Sequence, residues 1–172
     1  MGQGIAVTPV QLACGISVIA NGGYLVKPRV VDRITTWEGE VFREFDPEIK
    51  HRVLDKDTCE VMKRILRRVV THGTGRRAAS DSYSLCGKTG TAQMVDPEGG
   101  YYDNRYYATF VGFAPMKEPL ISVVVAARNP HPVYFGGSVA GPAFRGIAEK
   151  TLEYLGSDRS DDDLTEQYRM DR

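Results

Sequence analysis

The sequence predicts an α+β fold: an antiparallel sheet of three consecutive strands packed by helices, with a small β-hairpin region beside it. Three observations point there. Apolar residues recur at helical spacing in two segments before residue 73 and in one near the C-terminus. From Ser84 the apolar period shortens to two, in three strand-like runs whose links are too short to hold a helix, which implies antiparallel pairing. Between the first two helical segments, Glu38-Gly39 sits as a hairpin turn among strand-like residues.

The first helix opens at Thr8-Pro9-Val10-Gln11, with Thr8 as N-cap, Pro9 at the first helical position and Gln11 completing a capping box. Val10, Leu12, Ala13, Ile16, Ile19 and Ala20 make it apolar on most sides, which predicts deep burial, and Asn21-Gly22-Gly23 stops it. Tyr24 to Asp46 reads as strands, with Val26, Val30, Ile34 and Trp37 among polar residues and a second arm from Val41 to Phe45. A second helix is expected from about Thr58 to His72, capped by Asp57 with Glu60. Its apolar face is Val61, Met62, Ile65, Leu66, Val69 and Val70, and Lys63, Arg64, Arg67 and Arg68 form a solvated face opposite.

The three strands are Leu85–Met94, Tyr106–Ala114 and Leu120–Arg128, joined by a long loop through Asp96-Pro97-Glu98-Gly99-Gly100 and a short one through Pro115 to Pro119. A closing helix begins near Ser138 to Pro142 and uses Phe144, Ile147, Ala148, Leu152 and Leu155. Residues 1–155 therefore read as one structural unit, and 156–172, polar and acidic, as a disordered tail.

At 172 residues, 42% hydrophobic and 26% charged, the chain is one globular domain or a large part of one. Formal net charge is zero, which gives no reason to expect a nucleic-acid partner. No run approaches the roughly 20 apolar residues that span a bilayer, and the first residues lack the basic-then-apolar pattern of a signal peptide. Cys14, Cys59 and Cys86 are too scattered for a disulfide framework or a zinc site and read as small buried hydrophobes. No metal or cofactor is expected.

The stretch that carries chemistry is Cys86-Gly87-Lys88-Thr89-Gly90-Thr91-Ala92-Gln93. A phosphate-binding loop would need glycine at position 82, which is Ser82, and a helix after the lysine, where the sequence is strand-like. A Lys-Thr-Gly strand bordering an acyl-transfer site fits instead. Lys88 would supply positive charge around a serine hydroxyl and a substrate carboxylate, and Thr89 a hydroxyl to that carboxylate. Gly90 would let a peptide lie close against the strand. The Thr91 N–H would form half of an oxyanion hole, each such donor typically worth ~3 kcal/mol. The catalytic candidates are thus Lys88 and Thr91, and the substrate-binding candidates Thr89, Gly90 and Thr91. The bland alternative is an edge strand whose lysine only deters aggregation.

Further blocks stand in order around that motif. They are Gly2 to Ala13, Ile19-Ala20-Asn21-Gly22-Gly23 with Pro28, Val69-Val70 with Gly73-Thr74-Gly75, Ala108 to Pro115, and Gly136-Gly137-Ser138-Val139-Ala140-Gly141-Pro142-Ala143-Phe144. With them the chain from Gly2 to about Leu155 resembles the second half of the class B penicillin-binding proteins, the peptidoglycan D,D-transpeptidases of cell division and elongation.

The resemblance implies part of a penicillin-binding protein/β-lactamase-like fold, of which this chain supplies three sheet strands, the first and last helices and the hairpin. It implies peptidoglycan stem peptides ending in D-Ala-D-Ala, and β-lactams, as ligands of the complete domain. As partners it implies the N-terminal half of that domain and other division or elongation proteins. It places the parent protein at the extracytoplasmic face of the cytoplasmic membrane. By resemblance Lys88, Thr89 and Thr91 take the roles given above, and the loop from Asp96 to Tyr106 borders the cleft, with Tyr101, Tyr102 and Tyr106 near substrate.

The family also needs Ser-x-x-Lys and Ser-x-Asn, and none of Ser17, Ser80, Ser82, Ser84, Ser122, Ser138, Ser157 or Ser160 begins either motif. These 172 residues alone are therefore expected to be inactive. Cys86, on the same strand face as Lys88, is a weak candidate for a substitute nucleophile. An alternative is a non-catalytic module of the same fold that binds peptidoglycan or another protein.

Overall fold

Thr8 begins the first helix as its sequence demands: its hydroxyl accepts from the Gln11 N–H at 3.2 Å, and the Gln11 side-chain oxygen accepts from the Thr8 N–H at 2.8 Å. The structure, a computed structural model, describes residues 4–158. Its helices are α1 (Pro9–Ala20), α2 (Lys56–Thr71) and α3 (Gly136–Tyr154), with a short 3-10 turn at Arg76–Ala78. Four short strands follow α1: β1 (Tyr24–Val26), β2 (Arg33–Thr35), β3 (Val41–Glu44) and β4 (Ile49–Arg52). The main sheet is β5 (Cys86–Val95), β6 (Tyr101–Ala114) and β7 (Ile121–Arg128), antiparallel in the order β5-β6-β7.

The expected three-strand sheet is present, and β2 and β3 form the expected hairpin around Glu38-Gly39. Helices cover both faces of the sheet. Against α3, Leu85, Phe110, Ala114, Ala140, Phe144, Ala148 and Leu152 are fully buried, and the Phe110 and Phe144 rings lie 4.5 Å apart. Against α1 and α2, Ile16, Ala20, Leu66, Cys86 and Phe113 form a smaller core. The period of two in the strands produces this division: Phe110 and Phe113, an odd number of residues apart on β6, must face opposite helices.

Several expectations need correction. α2 starts before Thr58, because Asp55 and not Asp57 is its N-cap. The Asp55 carboxylate accepts both the Thr58 N–H at 2.7 Å and the Thr58 hydroxyl at 2.8 Å, and these bonds hold its pKa below the ordinary value. The basic face of α2 is not wholly solvated. Lys63 and Arg67 are buried, while Val61 and Ile65 on the expected core face are exposed. Cys59, Lys63, Leu66, Arg67 and Val70 also recur at helical spacing, so the helix presents that second stripe to the sheet.

α1 is buried only along Ile16, Val18 and Ala20, with Val10 exposed, so its apolar character overstates its burial. The long loop expected from Asp96 to Tyr106 is a tight turn, because β6 begins at Tyr101 and extends the hairpin. α3 begins two residues before Ser138, and its Ile147, like Leu155 just beyond it, is exposed. β4, which pairs with β1, was not foreseen in the polar sequence Ile49-Lys50-His51-Arg52. Of the expected acidic tail, residues 159–172 lie outside the described residues.

This division of the core sets a test. Phe110→Ala should lower the unfolding free energy in urea by about 3–5 kcal/mol. Trp37→Ala, at a side chain 95% exposed near the hairpin turn, should change it by less than about 0.5 kcal/mol. Equal effects would contradict the buried position of Phe110.

Candidate active site

Among the described residues β5 pairs only with β6, so its other edge is open, and it carries the Lys-Thr-Gly sequence along that edge. Lys88 stands opposite Val111, Thr89 opposite Phe110, Gly90 opposite Thr109 and Thr91 opposite Ala108. Strand alternation turns Leu85, Gly87, Thr89 and Thr91 toward α3, and Cys86, Lys88 and Gly90 toward the side of α1 and α2.

Lys88 is exposed, and its ammonium folds back along the strand to donate to the Thr89 carbonyl at 2.9 Å and the Thr89 hydroxyl oxygen at 3.3 Å. The cation therefore lies against the hydroxyl of the next residue although the two side chains start on opposite faces. Thr89 Oγ1 also lies 2.8 Å from Thr74 Oγ1 in the turn after α2. Thr91 accepts the Gly136 N–H at 3.0 Å, so a threonine on β5 satisfies the first N–H of α3, whose own N-cap, Phe135, has no side-chain acceptor.

The first turn of α3 touches β5 with backbone alone. A Cβ on Gly136 would run into the carbonyl oxygens of Gly90 and Thr109, and one on Gly137 would run into the Thr74 carbonyl oxygen. Gly90 is constrained as well, since a side chain there would strike Thr109 Oγ1. Its glycine is thus required by internal packing, whatever approaches the strand from outside.

The residues just before α3 add an aromatic group. Tyr134 stacks on Tyr106 with centroids 4.3 Å apart, and Phe135 lies 4.5 Å from Tyr134. Tyr106 pairs with Gln93 on β5, so these rings flank the strand beyond Thr91. Of the other tyrosines named from sequence, Tyr102 carries the Arg105 guanidinium over its ring at 4.3 Å, and Tyr101 is exposed beside the turn.

Residues 1–149 match the family described as penicillin binding protein transpeptidase domain. The chain belongs to that family. It is 38% identical to stage V sporulation protein D of Bacillus subtilis over 160 residues, covering 90% of this chain and 24% of that protein. It is 36% identical to penicillin-binding protein PbpB of Mycolicibacterium smegmatis over 163 residues, covering 89% of this chain and 25% of that protein. The chain thus spans about a quarter of the length of the curated relatives it matches.

Among solved structures, penicillin binding protein 3 of Mycobacterium tuberculosis in its apo form superposes with a TM-score of 0.81 at 31% identity, covering 93% of this chain and 38% of that one. The same protein complexed with ampicillin gives a TM-score of 0.83 at 32% identity, covering 94% of this chain and 38% of that one. The antiparallel sheet and its helices are accordingly part of the transpeptidase-domain fold of this family.

Within that fold the four residues singled out from sequence, Lys88, Thr89, Gly90 and Thr91, lie together on the open strand. Sequence reading did not assign roles to Thr74, Gly136, Gly137, Tyr134 or Phe135. Their signals were a glycine pair at a helix start preceded by two aromatics, and a Gly-Thr-Gly turn after a helix. It also missed Arg67, whose guanidinium is buried under β5 and donates to the Leu85 carbonyl at 3.1 Å.

Cys86, the weak candidate nucleophile, is fully buried, and desolvation pushes its thiol up to about 12 despite the nearby Arg67 and Lys63. It is a core residue. Among the described residues no group of three or more His, Cys, Asp or Glu side chains gathers to hold a metal ion.

Two predictions follow from this packing. Gly136→Ala should cost about 1–3 kcal/mol by overpacking α3 against β5. Gly146→Ala, in the same helix with nothing within 4 Å of the added carbon, should instead stabilise by about 0.5–1 kcal/mol; thermal unfolding of the pair distinguishes local clash from general helix propensity. Because the neutral thiol of Cys86 persists until about pH 12, raising the pH from 7 to about 10 should not expose a reactive thiolate there. Under native alkylation half-buried Cys14 should react while Cys86 waits for unfolding, which peptide mass mapping would read.

Proposed function

We propose that this chain forms the Lys-Thr-Gly side of a peptidoglycan D,D-transpeptidase active site, completed by an upstream half of the same domain that carries the nucleophilic serine. The observation that carries the reading is a convergence on one open strand. A cation at Lys88, hydroxyls at Thr89 and Thr91 and the positive end of α3, which comprises 19 residues, meet at the edge of β5. That combination suits a carboxylate at the end of a peptide.

In this reading the serine oxygen attacks the carbonyl carbon of the penultimate D-Ala. The carbon–nitrogen bond to the terminal D-Ala breaks, and that D-Ala leaves with a proton on its amine. The Thr91 N–H donates to the oxyanion formed on the way, and Thr89 and Thr91 hold the carboxylate of the leaving residue. Lys88 supplies positive charge beside the serine and favours its deprotonation during attack. An amine from a neighbouring stem peptide then attacks the acyl ester, the carbon–oxygen bond breaks, and the serine regains its proton. β-Lactams, which open by the same attack, would remain as the acyl ester. Tyr106, Tyr134 and Phe135 would line the apolar margin of the cleft.

The partner surface has support of its own. Val61 and Ile65 of α2 and Val10 of α1 are exposed. Their burial by the upstream half of the domain would give α2 the second apolar contact that its sequence implies. No described helix is long and apolar enough to cross a membrane. The substrate chemistry places the domain outside the cytoplasmic membrane, anchored through the rest of the protein. In this reading residues 1–155 belong to that domain, of which 1–149 match the family.

The test is covalent labelling by a fluorescent penicillin. The purified 172-residue chain should not label, whereas the complete domain containing it should. In the complete domain Lys88→Ala should slow acylation by about 10²–10⁴-fold. Labelling of the chain alone, or full activity of the lysine variant, would overturn the proposal.

A further inference from the structure

The carboxylate reading of Thr89 leaves open what sets the direction of its hydroxyl hydrogen, and the structure supplies a candidate outside the Lys-Thr-Gly sequence. The Lys88 ammonium is a donor only, so at 3.3 Å it occupies one lone pair of Thr89 Oγ1. Thr74 Oγ1, at 2.8 Å, is the other hydroxyl in contact, and either oxygen of that pair can be the donor. If Thr89 donates to Thr74, its hydrogen is turned away from an incoming anion. If Thr74 donates to Thr89, the Thr89 hydrogen is released and the oxygen that carries it is polarised by two donors, Lys88 and Thr74.

Thr74 is held in place for this task. The Gly73 N–H donates to the Arg68 and Val69 carbonyls, each at 3.1 Å, and the Gly75 N–H donates to the Val69 carbonyl at 3.0 Å. The C-terminal carbonyls of α2 thus fix the backbone on both sides of the threonine. Gly137 closes against the Thr74 carbonyl from α3, and the Thr89 methyl would lie 3.2 Å from a Cβ placed there. Thr74 itself stays exposed, as does Lys88, so the hydroxyl pair lies on the surface that faces the open strand.

We propose that Thr74 is a positioning residue. Its hydroxyl donates to Thr89 when an anion binds, so that Thr89 donates its own hydrogen to the carboxylate of the substrate or β-lactam. The chain of donors runs from Thr74 through Thr89 to the ligand, with Lys88 supplying charge at its centre. This rests on the carboxylate role given to Thr89 above. The ligand class is accordingly an acyl donor with a carboxylate close to the scissile bond.

The experiment measures acylation of the complete domain by benzylpenicillin and by its methyl ester, which lacks the charge. Thr74→Val should slow reaction with the acid by about tenfold, leave reaction with the ester within about twofold, and leave the melting temperature near that of the parent. Thr74→Ser should restore the acid rate, because it keeps the hydroxyl and loses only the methyl group. In Thr89→Val the further change Thr74→Val should have little effect, since the receiving oxygen is gone.

An unchanged acid rate in Thr74→Val overturns the inference, and so do equal losses for acid and ester, which would mark Thr74 as structural. Should Thr74→Val fail to fold, Thr74→Ala replaces it in the same comparison. If Thr89→Val itself leaves the preference for the acid intact, the carboxylate role of Thr89 falls and the inference with it. If Thr89→Val abolishes the preference and Thr74→Val does not alter it, only the role of Thr74 falls.

Discussion

The site depends on a contact between two pieces of backbone: the first turn of α3 set directly against β5 and β6. Gly136 and Gly137 permit it because any side chain there would occupy the space of the Gly90, Thr109 and Thr74 carbonyl oxygens. Close approach brings the first N–H of α3 to the Thr91 hydroxyl and fixes Thr74 beside Thr89. It also sets Tyr134 and Phe135, the residues that lead into the helix, beside Tyr106. One packing constraint therefore orders the polar and aromatic groups of the site together. A single hydrogen bond there contributes only about 1 kcal/mol; the larger consequence is geometric, since each group is located by the same glycine contact.

Beneath the strand the structure carries an uncommon cost. Arg67 is 2% exposed and its guanidinium loses water, which lowers its pKa from the ordinary value without removing its charge. Burying such a group costs several kcal/mol unless hydrogen bonds replace the water. Its bond to the Leu85 carbonyl, at the residue immediately before β5 begins, replaces part of that water, while the buried Nε finds no hydrogen-bond acceptor among the described residues. Lys63, one turn earlier on α2, is buried but pairs with Glu60 at 3.0 Å, and its carbonyl accepts the Cys86 thiol at 3.7 Å. Both cationic residues thus anchor the start of the strand whose next residues carry the Lys-Thr-Gly sequence.

Much of this was legible in the chain. The capping box at Thr8, the hairpin at Glu38-Gly39 and the three strands follow from local rules that the structure obeys, because each depends on residues within a few positions of one another. The phase of α2 was not legible. Leu66 and Val70 of the expected apolar face are buried, but Val61 and Ile65 are exposed, and the stripe Cys59-Lys63-Leu66-Arg67-Val70 faces the sheet in their place. The carbonyl of Leu85, distant in sequence, accepts a hydrogen bond from the buried arginine. The four residues of the Lys-Thr-Gly-Thr motif were readable, whereas Thr74 was not, since its significance is a single contact across 15 positions. β4 escaped for the opposite reason: its residues are all exposed and polar after Ile49, and pairing with β1 alone makes them a strand.

The contrast between Cys86 and Lys88 shows why motif and environment must be read together. They lie two residues apart on one face of one strand, and both carry groups able to take part in acyl transfer. At Cys86 the helices close over the sheet, water is excluded and the thiolate is suppressed. At Lys88 the cover has ended and the ammonium reaches Thr89 at the open edge. The boundary between core and site falls within those two residues, at Gly87, where Phe110 and the Val111 carbonyl leave no room for a side chain. Solvent access along this strand is set by where the packing stops, and the glycines on either side of the lysine mark that limit.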